Sequence, residues 1–336
     1  MFLLGLGNIW ENGVSNWCLF GIFLSEMDIK RNFRLSSICS FSVGGPADYY
    51  IHAKDERDLI EAIKRAKELR VPVFFLGLGT NIFFCDEGFR GVIIRFFSSK
   101  KSFTIGDGVV LLKGNEKAGT LVRVLGDMGI GGLEFLANIP GSIGGAVACN
   151  AGTKTGCIDD VFIRGRILDI QKNRIFETDK IFFDFSYRDS RLKRENRYVL
   201  IECLLRIKVM ERSEILKIIE EDLTQRRLSQ PIKTKTAGSF FKNPPGRKAW
   251  ELIRECGLAG FGIGGAYISK KHSNFIVNRG GATAKDILRL ARFTAKIVLD
   301  KTGIKLEPEV VFVGQKGMKK NWLWEEDNNF LETTRF

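Results

Sequence analysis

The run from Ile139 to Gly152, IPGSIGGAVACNAG, constrains this chain more than any other stretch. One rigid proline, Pro140, stands with Gly141, Gly144, Gly145 and Gly152, and nearly all the side chains are small. Glycine reaches backbone conformations closed to other residues and lets the main chain approach a ligand. A diphosphate held by backbone N–H groups fits such a run. A tight turn packed under a helix fits it too, and the segment alone does not separate the two.

A second glycine-rich turn favours the nucleotide. Gly77-Leu78-Gly79-Thr80-Asn81 directly follows the apolar run Val71 to Leu76, which contains Pro72 and reads as a buried strand. The turn begins like a Rossmann fingerprint, but Phe83 and Phe84 follow, no glycine stands at Ile82, and no acidic residue sits at the ribose distance. Gly5-Leu6-Gly7 fails the same test, with Trp10 in place of glycine. Two separated turns can instead clasp one long dinucleotide from two sides.

With 336 residues the chain has room for two or three lobes and a large core. A net charge of +13 attracts anions at long range, which suits nucleotides, phosphorylated metabolites or nucleic acid. The densest basic segments, Lys100-Lys101 and Arg191 to Arg197, carry no interleaved aromatics at stacking spacing, so no nucleic-acid partner is expected. Seven cysteines are scattered without a C-x-x-C pair, and His52 and His272 are the only histidines. That pattern argues against a disulfide framework and any metal site, and for a reducing, cytoplasmic setting. The apolar stretch Trp17 to Leu24 lacks a positive flank and a cleavage site, and it is too short to span a bilayer. Residues 1–30 therefore read as an N-terminal extension, with no membrane partner.

Beyond the extension, Asp48 to Ala53 reads as a strand. A helical face follows at Leu59, Ile60, Ile63, Ala66 and Leu69, then strands over Val71 to Leu76 and Val92 to Phe97. Residues 31–97 thus form a first lobe. Residues 98–210 form a second, richer in strands: Val109 to Leu112, a helix near Lys117 to Met128, the glycine-rich run, then strands around Val161 to Ile170 and Tyr198 to Val209. Residues 211–315 open with helical spacing at Ile215, Leu216, Ile219 and Leu223, and continue with helices near Trp250 to Cys256 and Ala284 to Leu299. Residues 316–336 lack periodicity and predict a loosely held tail.

Seven ordered blocks carry a resemblance over Asn32 to Gly314: FSVGGPADYY (41–50), GLGTNIFFCDEGFRGVIIR (77–95), GLEFLANIPGSIGGAVACNAG (132–152), FSYRDS (185–190), AGSFFKNP (237–244), IGGAYISKKHSNFIVN (263–278) and LEPEV (306–310). With them the chain resembles the UDP-N-acetylenolpyruvoylglucosamine reductase (MurB) family, in its shorter subtype without the tyrosine loop. The resemblance implies an α+β protein: a two-lobed FAD-binding fold of the vanillyl-alcohol-oxidase (PCMH) type plus a third α+β substrate-binding domain. It further implies a monomer.

The same resemblance implies noncovalent FAD on Gly77, Gly79, Thr80 and Asn81 of the first turn and Pro140, Gly141, Ser142, Gly144 and Gly145 of the second. NADPH is the implied hydride donor and the enolpyruvyl double bond of UDP-N-acetylglucosamine enolpyruvate the acceptor, giving UDP-N-acetylmuramate for peptidoglycan. Both anionic nucleotides would meet one flavin face in turn. Ser239 matches the family's proton donor; without the resemblance it is an ordinary loop hydroxyl beside Gly238. Arg188 matches the arginine that steadies developing negative charge through a two-pronged grip on a carboxylate. Its plainer reading is a surface ion pair with Asp189. Glu309 matches an acidic partner that must be protonated or paired with a cation near a carboxylate-bearing substrate. Asn243 matches a diphosphate contact and His272 a polar substrate contact, although His272 reads equally as a core histidine. Arg226, Arg227 and Lys242 add phosphate attraction or merely solvate a surface.

Two positions depart from the family pattern. Ser229 stands where a lysine commonly precedes Gln230-Pro231, and Val311 where an arginine commonly follows Glu-Val. Arg226, Arg227 or Lys233 is expected to compensate. Two rival readings remain open on the residues: a flavin oxidase of the same fold acting on another small substrate, and a basic nucleic-acid or membrane-surface binding protein without catalysis.

Overall fold

The structure, a computed structural model, describes residues 28–324. The expected extension therefore lies almost wholly outside the described residues, as does the end of the tail. The described chain separates into two compact units that interleave in sequence. The first takes Ile51–Arg65 and Arg95–Glu220; the second takes Lys30–Tyr50, Ala66–Ile94 and the chain from Glu221 onward.

In the first unit, residues with strand patterning pair into a five-stranded antiparallel sheet. Its order is Arg174–Asp179, Phe162–Asp169, Tyr198–Arg206, Val109–Lys113, Phe103–Ile105. The helix Ala118–Asp127 buries Leu121, Val122 and Leu125 into this unit's core, which also takes Ile143, Val147, Ile167, Cys203, Ile215 and Ile219. Ile215 and Ile219 supply the buried face of the helix Arg212–Ser229, in line with the helical spacing seen in sequence. The strand Arg174–Asp179 escaped the sequence reading because it is a charged edge strand with no buried residue.

The second unit holds most of a four-stranded sheet in the order Ile29–Arg34, Pro46–Ala53, Phe89–Phe96, Val73–Leu76. It also holds two three-stranded sheets. In one, Val311–Gly314 lies parallel to Ile82–Phe84, with Val311 opposite Ile82 and Val313 opposite Phe84. In the other, Ala266–Ile268 is flanked by Gly262–Ile263 and Ile276–Asn278. The core is aromatic: Phe41, Phe83, Phe240 and Trp322 are fully buried, with Phe83 stacked on Phe312 at 4.9 Å between ring centroids.

The long helix Ala284–Thr302 shows why its ends fall where they do. Thr283 accepts a hydrogen bond from the Asp286 amide, and the Asp286 carboxylate accepts from the Thr283 amide, a reciprocal cap. Asp86 accepts from the amides of Ala284 at 2.7 Å and Lys285 at 3.0 Å, so the first-turn donors are satisfied. Gly303, at φ 71°, stops the helix in the left-handed conformation.

The tail corrects one expectation. Residues 316–324 are not loose: Trp322 is 2% exposed, Leu323 is 3%, and Arg292 donates to the Trp322 carbonyl. The large apolar residues of this segment, Met318 and Trp322 to Trp324, show no periodicity, so a search for repeating faces passes over them.

Candidate functional site

In the second unit, Ser239 lies on an extended segment bridged antiparallel to Phe275. Its neighbour Phe240 is wholly buried among Phe41, Phe83 and Trp322. Ser239 itself is half-buried beside that core. The Phe240 amide donates to Asn274 O at 2.7 Å, and its carbonyl accepts from the Glu309 amide at 2.9 Å. Glu309 therefore stands on the chain beside the Ser239 segment. Asn81 joins them: its side-chain amide donates to Glu309 O at 3.4 Å, and its carbonyl accepts from the Val311 amide at 3.0 Å.

The first glycine turn is held to the same segment by a residue that sequence reasoning passed over. The Ser40 amide donates to Gly79 O at 2.9 Å while its hydroxyl donates to Thr236 O at 2.7 Å. Gly79 has φ 69°, and a Cβ there would sit 2.3 Å from Ile38 O, so only glycine allows this approach.

The other expected substrate contacts also lie in this unit. Asn243 Oδ1 accepts from the Ala249 amide at 3.0 Å and so caps the helix Ala249–Glu255. His272 packs between Trp250, at 6.1 Å, and the edge of Phe275, at 4.8 Å; burial lowers its pKa and its Nδ1 has no hydrogen-bond partner. A neutral ring with an open nitrogen suits a polar contact, while the aromatic packing suits a core histidine. Arg226 Nε donates to Gln230 Oε1 at 3.3 Å, and the Arg227 carbonyl accepts from Lys271 Nζ. The Ser229 hydroxyl turns back to Gln225 O at 2.8 Å. Lys242 Nζ lies 3.6 Å from Glu307. Exposed Lys233 has φ 64°.

In the first unit the glycine-rich run is a turn entering the short helix Ile143–Ala148. Ser142 caps that helix by accepting from the Gly145 amide at 3.2 Å. The Ile143 amide donates to Glu116 O at 2.9 Å and the Gly144 amide to Gly114 O at 2.7 Å. Arg188 stands in the tight Ser186–Asp189 hairpin at φ 59°. The neighbouring Asp189 carboxylate accepts from Arg194 Nη1 at 2.6 Å. Two further residues not singled out from sequence, Asn150 and Ser190, tie this hairpin to the end of the glycine-rich helix. Their only signal was their place inside the NAG and YRDS strings.

The donor set fits a flavin dinucleotide. Neither turn carries an acidic side chain: the first offers the Thr80 hydroxyl and the Asn81 carboxamide, the second the Ser142 hydroxyl and a small-residue backbone. Glu116, bonded to the second turn through its carbonyl, is 1% exposed, and burial raises its pKa toward the neutral acid. The side chains of the two turns themselves bring no negative charge against a diphosphate. Among the described residues no cluster of His, Cys, Asp or Glu could hold a metal, and no helix is long and apolar enough to cross a membrane.

Comparison with known proteins agrees. Residues 47–178 match the family described as FAD binding domain, and with the α+β units this defines a flavin-binding protein of the vanillyl-alcohol-oxidase (PCMH) type. Residues 230–313 match the C-terminal domain of UDP-N-acetylenolpyruvoylglucosamine reductase. The reductase of that name from Heliobacterium modesticaldum is 37% identical over 310 residues, which cover 90% of this chain and 98% of that protein. The one from Clostridium perfringens strain SM101 is 39% identical over 303 residues, 88% of this chain and 97% of that protein. The crystal structure of MurB from Thermus caldophilus superposes with a TM-score of 0.73 at 32% identity, covering 85% of this chain and 99% of that one. The chain belongs to the UDP-N-acetylenolpyruvoylglucosamine reductase (MurB) family. Both the expected fold class and the expected family hold.

Proposed function

We propose that this protein reduces the enolpyruvyl group of UDP-N-acetylglucosamine enolpyruvate with NADPH, through noncovalent FAD, giving UDP-N-acetylmuramate for peptidoglycan. FAD held in the protein would supply the hydride chemistry that links NADPH to the alkene. The two glycine turns, Gly77 to Asn81 and Pro140 to Gly145, hold that group, Gly144 and Gly145 by packing the second turn in place rather than through their own amides. Adding hydride at one alkene carbon leaves negative charge shared with the substrate carboxylate. Arg188 grips that carboxylate with paired N–H groups, and the Ser239 hydroxyl donates a proton to the neighbouring carbon. Positioned proton transfer of this kind contributes roughly 10²- to 10⁴-fold in rate. Glu309, Asn243, His272, Arg226 and Arg227 complete the substrate side, and the protein acts in the cytoplasm as a monomer. Residues 31–97 and 98–210 serve the flavin and 211–315 the substrate.

One observation carries this reading: main-chain hydrogen bonds gather Ser239, Glu309 and Asn81 onto adjoining segments, beside the turn whose Gly79 accepts from Ser40. A rival flavin oxidase gives no reason for a hydroxyl, a carboxylate and a flavin turn to be joined in this way. The test separates the two half-reactions. NADPH should bleach the flavin of Ser239→Ala at the wild-type rate, while recovery of flavin absorbance on adding the UDP-enolpyruvyl sugar should slow at least about 100-fold. Equal slowing of both steps rejects Ser239 as the proton donor, and no recovery in wild-type protein rejects the reductase reading.

A further inference from the structure

Two buried polar side chains brace the hairpin that carries Arg188. Asn150 Nδ2 donates to Ser186 O at 2.9 Å, and Ser190 Oγ donates to Ala148 O at 2.7 Å. Asn150 is 6% exposed and Ser190 0%. The bonds run in opposite senses, so the segment leaving the glycine-rich helix and the arginine hairpin each give one donor and one acceptor. Between the two ties the hairpin is closed by Ser186 and Asp189, which exchange amide-to-carbonyl bonds of 3.1 Å. Arg188 at its tip sits in the left-handed region, a costly conformation that persists only where the surroundings over-determine it.

Both bracing residues are used in ways that simpler roles would not require. Ser190 stands at the N-cap of the helix Arg191–Arg194, yet its hydroxyl caps nothing there and reaches Ala148 instead. Asn150, itself at φ 40°, accepts through Oδ1 from the Asp159 amide at 2.9 Å, so both ends of its carboxamide are fixed. A carboxamide held at both ends cannot swing, and the hairpin inherits that rigidity.

We propose that Asn150 and Ser190 are positioning residues for Arg188, holding the hairpin where the guanidinium meets the substrate carboxylate. The proposal rests on the role given to Arg188 above. Misplacing a reacting group by about 1 Å costs on the order of 10²-fold in rate. Losing one tie should therefore act on the sugar-dependent step and spare the NADPH-dependent one.

The experiment is a double-mutant cycle on flavin-loaded protein, with flavin absorbance and melting temperature checked for each variant. Ser190→Ala should slow flavin recovery by the UDP-enolpyruvyl sugar roughly 10- to 100-fold, with flavin reduction by NADPH and the sugar's KM within about twofold of wild type. In an Arg188→Ala background, Ser190→Ala should slow recovery no further, because the brace then has nothing to position. Should Ser190→Ala fold poorly, Asn150→Asp keeps the shape and the left-handed tolerance while removing the donor, and it should give the same pattern. If Arg188→Ala itself leaves recovery normal, the role assigned to Arg188 is wrong. If Arg188→Ala is slow but the brace variants slow both half-reactions alike, or multiply fully with Arg188→Ala, the brace is merely structural and the proposal is overturned.

Discussion

Gly79→Ala tests the flavin role proposed for the first glycine turn most directly, with Gly303→Ala as its matched control. The two glycines share a backbone conformation, φ 69° and 71°, and lie in the same unit. A Cβ at Gly303 would meet nothing within 4 Å, whereas one at Gly79 would sit 2.3 Å from Ile38 O. Both variants bear the left-handed penalty of about 1–2 kcal/mol, offset by about 0.4–1 kcal/mol from a stiffer unfolded chain. Gly303→Ala should therefore destabilise by about 1 kcal/mol. Carbon–oxygen contacts rarely close below about 3.3 Å, so at position 79 the main chain must part by roughly 1 Å, an overpacking cost of about 1–3 kcal/mol. The same movement strains the Ser40 amide bond to Gly79 O. The sum is about 2–4 kcal/mol, and an excess of 2 kcal/mol expressed at the turn weakens FAD binding roughly 30-fold. Urea unfolding at fixed FAD and fluorescence titration of apoprotein with FAD measure both quantities. Equal destabilisation by the two substitutions, or an FAD affinity for Gly79→Ala within about threefold of wild type, would refute the reasoning.

Trp322→Ala should cost about 3–5 kcal/mol by opening a cavity beside Phe83 and Phe240. Leu228→Ala, at a side chain 69% exposed, should stay within about 0.5 kcal/mol, and urea midpoints compare the two. The Asp169 carboxylate, bonded by Arg197 Nη2 at 2.6 Å and Nε at 2.9 Å, is held down to about 2. Because its folded pKa lies below its unfolded one, its stabilisation is complete above about pH 4 and fades as pH falls toward 2. Melting temperature against pH should lose that acid limb in Asp169→Asn; an unchanged limb assigns it elsewhere. Neutralising Arg226, Arg227 and Lys233 together should raise the KM for the UDP-sugar. An unchanged KM means they do not compensate for Ser229 and Val311.

Local constraints were legible in the sequence, and bonds between distant segments were not. The periodic faces of Glu56–Leu69, Ala118–Asp127 and Ala284–Thr302 are visible because a helix repeats its own pattern. Asn150 and Ser190 are invisible for the opposite reason: their partners stand 36 and 42 residues away, and nothing local marks the pairing. Ser40 reaches 196 residues to Thr236.

The glycine-rich run shows how the two kinds of information combine. From sequence it read either as a backbone cradle for a diphosphate or as a turn packed under a helix. The amides of Ile143, Gly144 and Gly145 are all engaged, by Glu116 O, Gly114 O and Ser142 Oγ. They cannot also be the main donors to a phosphate without breaking those bonds. A Cβ at Gly144 would stand 2.9 Å from Gly114 O, so this glycine serves close packing of two main-chain segments. The packing reading thus accounts for the later half of the run, and an anion would fall to the amides of Gly141 and Ser142 just before it. Replacing Gly144 by Ala should then loosen the protein and FAD together, and Ser142→Ala, which removes the cap and the hydroxyl offered to the flavin, should cost about 1 kcal/mol of stability. Melting temperature and FAD titration separate the two. Weaker FAD binding by Gly144→Ala without any loss of stability would return the later amides to the cradle.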